Sequence, residues 1–170
     1  MVILSRIYTK TGDDGTTGLA NNARVPKVEP IIHAIGAVDE ANSAIGMIQN
    51  YDHFLDDIQN DLFDLGADLS GSRVTRISQM QVDKLENLID QLNAELPVLQ
   101  SFILPKGDIH NARAIVRRAE REVWMAMEGN DINAFCPQYL NRLSDFLFVL
   151  ARYAHMETGD SLWVPGKSKS

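Results

Sequence analysis

The segment Ile109-His110-Asn111-Ala112-Arg113-Ala114-Ile115-Val116-Arg117-Arg118-Ala119-Glu120-Arg121-Glu122-Val123-Trp124-Met125-Ala126 carries two patterns at once. Ala112, Val116, Ala119, Val123 and Ala126 recur at intervals of four and three, the spacing that lines one face of an α-helix. Their small side chains let a neighbouring helix approach closely. Arg113, Arg117 and Arg121 recur every four positions and form a second ridge beside the first, with Arg118 and Glu120 next to it. The spacing predicts a helix from Ile109 to Gly129, N-capped by Asp108, central in a bundle and edged by guanidinium groups. Guanidinium forks bind carboxylate and phosphate oxygens bidentately and stay charged, which suits a polyphosphate. The competing reading is that Glu120 and Glu122 merely compensate the arginines in surface pairs.

The same periodicity predicts four more helices. One runs from roughly Pro30 to Gln49 on a stripe of Ile31, Ile35, Val38, Asn42 and Ile45, with Asp39 and Glu40 beside it. Another covers His53 to Asp68 with Phe54, Ile58, Leu62, Leu65 and Leu69 inward. A third starts after Ser78 as N-cap and carries Val82, Leu85, Ile89 and Leu92, with an acidic and amide outer face that makes it a wall. The last starts at Asp131 or Asn133, passes Pro137 in its first turn and stops at Gly159. It places Leu140, Leu143, Leu147, Leu150 and Ala154 inward beside a polar ridge that includes Asn141 and Asp145.

Pro97 and Pro105 bracket a short apolar connector, Val98 to Leu104, followed by Lys106-Gly107-Asp108. There is no β-branched alternating run and no solenoid repeat. The expected fold is all-α: a five-helix bundle in a ferritin-like up-down arrangement, since short loops favour antiparallel neighbours. At 170 residues and 45% hydrophobic, one domain is expected. It divides into an N-terminal arm (1–27), a helical bundle (28–160) and a tail (161–170).

The arm contains Tyr8-Thr9-Lys10-Thr11-Gly12-Asp13-Asp14-Gly15-Thr16-Thr17-Gly18-Leu19, with three glycines, four threonines and one lysine, a run too broken for a helix or a regular strand. Hydroxyls, backbone N–H groups and an ammonium hold phosphates, so this reads as a phosphate-binding loop. No Gly-Lys-Ser/Thr closes it as a Walker A loop, and no apolar strand feeds it as a dinucleotide fingerprint. The residues after it, to Lys27, read as an irregular connector.

Acidic residues outnumber basic ones 23 to 16, for a net charge of −7, which argues against a general nucleic-acid or anionic-membrane binder. An anionic ligand must therefore meet a local basic cluster. The single cysteine, Cys136, excludes an internal disulfide and suits a reducing cytoplasm. No apolar stretch approaches the ~20 residues needed to span a bilayer, and no leader opens the chain, so it is expected to be cytoplasmic. The four histidines show no paired spacing with glutamates, so no metal cage and no di-iron site is expected, and no Ser/His/Asp or Cys/His set can be assigned.

Five ordered motifs together closely resemble the PduO-type ATP:corrinoid adenosyltransferases. They are the Tyr8–Leu19 loop, Ala37-Val38-Asp39-Glu40-Ala41-Asn42-Ser43-Ala44-Ile45-Gly46, Phe102-Ile103-Leu104-Pro105, Ala112-Arg113-Ala114-Ile115-Val116-Arg117-Arg118-Ala119-Glu120-Arg121, and Leu140-Asn141-Arg142-Leu143-Ser144-Asp145-Phe146-Leu147-Phe148. The resemblance runs from about Arg6 to Gly166. It implies a homotrimer with ATP and cobalamin sites at the subunit interfaces.

By position, the resemblance assigns Thr9, Lys10, Thr11, Gly12, Thr17, Gly18 and Lys27 to the triphosphate, and Arg117, Arg118, Glu120, Arg121 and Asn141 to the rest of the nucleotide site. It pairs Asp39 with Arg113 across a subunit boundary and lays Phe102 under the corrin, where it keeps the lower axial position of cobalt empty. The implied reaction is attack by the cobalt of cob(I)alamin on the 5′ carbon of ATP, with Mg2+ on the phosphates, giving adenosylcobalamin and triphosphate. An adenosylcobalamin-dependent enzyme is the implied recipient of the product.

Two departures from the family pattern stand out. Lys106-Gly107-Asp108 is several residues shorter than the usual glycine-rich stretch, which bears on the corrin side. Asp14 stands where the family often has Gly or Lys, and its carboxylate is expected to be solvated or near Mg2+. The alternative reading is a non-catalytic ATP-binding or sensor bundle. The loop is expected to be disordered until nucleotide binds.

Overall fold

The computed structural model describes residues 7–169; positions 1–6 of the predicted arm, including Arg6, lie outside the described residues. The described residues form five α-helices, α1 (Pro30–Ile45), α2 (Asp52–Leu69), α3 (Gln79–Asn93), α4 (Gly107–Met127) and α5 (Phe135–Ala154), and a single 3-10 turn at Lys167–Lys169. A two-stranded hairpin, β1 (Thr16–Gly18) and β2 (Arg24–Pro26), precedes them. The expected five-helix bundle is what the chain forms.

Helices α4 and α5 are the centre: α4 packs on α1 and α5, α5 packs on α3 and α4, and α2 packs on α1. The α4 stripe Ala112, Val116, Ala119, Val123 and Ala126 is fully buried, as its spacing requires. Leu140, Leu143, Leu147 and Leu150 of α5 are equally enclosed, and Tyr139 and Phe146 fill the space between elements. Burying large aliphatic side chains contributes about 1.5–3 kcal/mol each, which makes this pair of helices the chief source of stability.

The polar break in the α1 stripe has a structural cause. Asn42 is buried, its Nδ2 donates to the Gln59 carbonyl at 3.1 Å, and Gln59 Nε2 donates back to the Asn42 carbonyl at 3.2 Å. The two amides clamp α1 to α2.

Helix ends differ from expectation by a few residues. Helix α1 stops at Ile45 rather than Gln49, because Gly46 closes it and Asn50 adopts φ 72°. Ser78 does head α3, with its N–H donating to Gln81 Oε1 at 3.1 Å in a capping box. Asp108 is not the cap of α4; the helix starts at Gly107 behind Lys106, and Asp108 sits in the first turn, where its charge suits the helix dipole. Asn133 lies outside α5 and accepts the Phe135 N–H at 3.0 Å, so the helix begins later than expected. It also ends earlier, at Ala154, and Gly159 with φ +77° turns the chain into the tail.

The arm corrects the sequence reading. Instead of an irregular run and connector, Thr16, Thr17 and Gly18 pair antiparallel with Pro26, Val25 and Arg24. The Ala20 N–H donates to the Ser70 carbonyl at 3.0 Å, which anchors the hairpin to the end of α2.

Candidate functional site

The loop closes on its own side chains. Lys10 has φ 60°, an uncommon conformation for a residue with a Cβ, and it is flanked by Thr9 and Thr11, whose hydroxyls bond each other at 2.8 Å. Lys27 Nζ donates to the Gly12 carbonyl at 2.8 Å, and a Cβ on Gly12 would stand 3.0 Å from the Thr16 carbonyl and 3.3 Å from Lys27 Nζ. Gly12 is therefore a close-approach glycine. A Cβ on Gly18 would meet nothing, and its backbone faces open space. The bonds of Thr9, Thr11, Gly12 and Lys27 run within the arm.

Asp14 is exposed, as expected of a solvated carboxylate; its Oδ1 accepts the Thr16 N–H at 2.9 Å and the Thr16 hydroxyl at 2.8 Å, bonds that hold its carboxyl below the usual carboxylate range.

Arg24, which the motif reading passed over, is the loop's main cross-link. Its guanidinium donates to the Thr11 carbonyl at 2.6 Å and to Thr16 Oγ1 at 3.2 Å through Nε, and it lies 3.9 Å from Asp14. A basic residue eight positions after a threonine carries no local signal until the hairpin register is known.

The α4 ridge faces two neighbours. Arg118 pairs with Glu40 of α1, and Asn141 of α5 donates to Glu120 at 3.1 Å, so Arg118 turns toward α1 while Glu120 and Asn141 meet on the side of α5. Arg117 and Arg121 are exposed, and Arg121 donates to the Arg117 carbonyl at 3.2 Å. Arg113 is half-buried; its Nε is enclosed with no hydrogen-bond partner among the described residues. Burial, then the neighbouring Arg117 charge, pulls its pKa down. Asp39 is exposed on the rim of a groove of about 380 Å³ between α1 and α2, lined also by Ile35, Phe63 and Ser70. The groove thus reaches the residue that anchors the arm.

Phe102 sits on the connector with 77% of its surface exposed. The tail holds it there. The Trp163 N–H donates to the Phe102 carbonyl at 2.7 Å, the Leu104 N–H to Ser161 at 2.8 Å, and Ser101 Oγ to the Trp163 carbonyl at 3.0 Å. The Trp163 ring meets the Phe102 ring edge-on at 6.1 Å. Beneath this pairing, Arg152 is buried against Asp160 at 2.9 Å and donates to the Pro97 carbonyl at 2.7 Å. His110 is buried under the connector beside a cavity of about 40 Å³, with Nδ1 unpartnered and its pKa pulled down by burial and by Arg113.

Among the described residues, no group of three or more His, Cys, Asp or Glu side chains is placed to hold a metal, and no helix is long and apolar enough to cross a membrane. What the exposed groups offer is a loop of hydroxyls and lysines, a guanidinium ridge and an apolar aromatic face.

Comparison with known proteins gives one answer. A family model described as cobalamin adenosyltransferase matches residues 7–154. The corrinoid adenosyltransferase of Mycobacterium tuberculosis is 46% identical, over 99% of this chain and 98% of that protein. The human corrinoid adenosyltransferase is 36% identical, over 92% of this chain and 72% of its own length. Among solved structures, a variant PduO-type ATP:corrinoid adenosyltransferase from Lactobacillus reuteri, complexed with cobalamin and ATP, superposes with a TM-score of 0.87 at 36% identity, covering 93% of this chain and 99% of that one.

Proposed function

Because this chain belongs to the cobalamin adenosyltransferase family, we propose that its loop and its α4 ridge are two walls of one ATP site, where the 5′-deoxyadenosyl group passes to the cobalt of reduced cob(I)alamin. The products are adenosylcobalamin and triphosphate. The observation that carries the division of labour is the segregation of charge. In an acidic chain, Lys10 and Lys27 stand on the glycine-threonine loop, and Arg113, Arg117, Arg118 and Arg121 stand on one helix.

The nucleophile belongs to the corrinoid, so the protein supplies position and charge rather than a catalytic serine or cysteine. Thr9, Lys10, Thr11, Gly12, Thr17, Gly18 and Lys27 wrap the triphosphate through hydroxyls, ammonium groups and exposed backbone. Arg117 and Arg118, with Arg121 beside them, stabilise the charge that develops on the leaving triphosphate. The Glu120–Asn141 bond presents the amide to the nucleotide. Phe102 offers cobalt an apolar lower face in place of a ligand.

Mg2+ fits as an ion that arrives on the phosphates. It keeps several waters and needs only one or two protein oxygens, and the arm's Asp13 carboxylate is exposed. No dedicated cage is required of the chain.

Assembly as a homotrimer completes the site. The unpartnered Nε of Arg113 and the exposed Asp39 are the ends of an ion pair made between subunits, which brings one chain's ridge to the groove and arm of the next. Arm, bundle and tail act as one domain in the cytoplasm and hand adenosylcobalamin to an enzyme that uses it. No observation favours the non-catalytic sensor reading.

The test is to mix the protein anaerobically with ATP, Mg2+ and chemically reduced cob(I)alamin and to follow the absorbance change to adenosylcobalamin. Stoichiometric release of intact triphosphate is expected. Absence of both changes would defeat the reading.

A further inference from the structure

We propose that Arg24 is a positioning residue that builds the phosphate loop before nucleotide arrives; the inference rests on assigning that loop to the triphosphate. Two strained or crowded points need an outside support. Lys10 holds φ 60°, and Gly12 lies with its Cα against the Thr16 carbonyl and the Lys27 ammonium. Arg24 reaches both sides of this bend. Its Nη2 donates both to the carbonyl of Thr11, the residue next to Lys10, at 2.6 Å and to the hydroxyl of Thr16, across the hairpin, and Nε adds a second bond to that hydroxyl at 3.2 Å. Thr16 is in turn fixed by Asp14, through its N–H at 2.9 Å and its hydroxyl at 2.8 Å.

The chain Thr11–Arg24–Thr16–Asp14 therefore triangulates the loop. It spends the Arg24 charge locally, 3.9 Å from Asp14, and leaves Lys10 to meet the anion. Arg24 itself sits in β2, paired with Gly18, so the rigid hairpin transmits its position to the loop. This also accounts for a carboxylate inside a phosphate site: Asp14 is a bracket for Thr16, and its charge is faced by Arg24.

A planar guanidinium suits this task and a point charge does not, because Nε and Nη2 grip the Thr16 hydroxyl together while Nη2 also meets the Thr11 carbonyl. The discriminating pair is Arg24→Lys and Arg24→Ala, with Asp14→Asn as a third variant. Both Arg24 variants are expected to raise the KM for ATP about 10-fold, the scale of one lost charge-assisted hydrogen bond. The kcat at saturating ATP and the KM for the corrinoid should stay within about 2-fold, because no reacting atom is touched. Thermal stability should be unchanged, since the arm lies outside the core.

Hydrogen exchange on the protein alone provides an ATP-independent reading: the amides of Gly15 and Thr16 should exchange faster in Arg24→Lys than in the parent chain. If Arg24→Lys keeps the parent KM and the parent exchange rates, charge alone suffices and the inference fails. A fall in kcat with KM unchanged also overturns it, by making Arg24 a transition-state ligand. If the parent protein does not bind ATP, the site reading fails, while the exchange comparison still decides whether Arg24 ties the loop.

Discussion

The phosphate loop and the Phe102 connector are both irregular and both exposed, yet they take their shapes from opposite sources. The side-chain bonds that close the loop span at most 15 positions, from Lys27 to Gly12 and from Arg24 to Thr11 and Thr16. The connector is shaped by residues 55 to 62 positions away, through Lys106 to Ser161 and Ser101 to Trp163. A self-closed loop can be prebuilt while the rest of the chain moves. A connector held by the tail is only as ordered as the tail. In the proposed site the two substrates thus meet surfaces with different dependencies: ATP a local structure, the corrinoid a long-range one.

In the proposed site the α4 ridge faces the leaving triphosphate, and its loss gives the reference effect. Arg117→Ala should lower turnover by at least ~10²-fold, the range for losing a charge-stabilising donor, measured as the initial rate of adenosylcobalamin formation. Near-parental turnover in that variant would remove Arg117 from the role given to it.

Ending the chain after Asp160 keeps the Arg152 partner and removes the tail segment that bridges to the connector. The KM for the corrinoid should rise about 10-fold, from the lost edge-to-face contact and backbone bonds, while the KM for ATP stays unchanged. Equal damage to both substrates would erase the contrast between the two segments.

Gly12→Ala is the reciprocal change. Its Cβ would press on a backbone carbonyl at 3.0 Å, so the KM for ATP should rise about 5-fold with the corrinoid KM unmoved.

The smallest effect concerns pH under the connector. His110 has a pKa pulled below its ordinary 6.5 by burial. Below that value the unfolded chain binds the proton that the folded chain refuses, so stability should fall as pH drops from about 7 toward 5. His110→Leu should flatten this slope of Tm against pH. An unchanged slope would place the titration elsewhere.

These contrasts also explain what the sequence could and could not disclose. The α4 and α5 stripes were legible because strict three-and-four spacing survives any tertiary context, and every stripe alanine and valine of α4 is buried. The arginine ridge came with them, since Arg113 and Arg117 each follow a stripe residue by one position and Arg121 continues their spacing of four. The hairpin was not legible. Its strands are three residues each, Thr-Thr-Gly and Arg-Val-Pro, too short to show alternation and containing residues that strands disfavour. Arg24 was hidden for the same reason: without the register that sets Gly18 opposite it, nothing connects it to Thr11. Trp163 was hidden by distance, since no local rule links an aromatic residue in the tail to Phe102. The α4 cap lies two residues before the expected Asp108, at Lys106, because Gly107, with φ +79°, starts the helix ahead of it.

In the proposed assembly the loop is half a site, completed by the α4 ridge of another subunit. Mixing two damaged proteins tests it most directly. Lys10→Ala breaks the loop wall and Arg117→Ala breaks the ridge wall; the two variants would be unfolded together, refolded as a 1:1 mixture and assayed for adenosylcobalamin formation. Random assembly pairs an intact loop with an intact ridge in about a quarter of sites, so about a quarter of parental turnover should return. If the mixture is no more active than the average of the two variants alone, both walls come from the same chain and the intersubunit site is wrong.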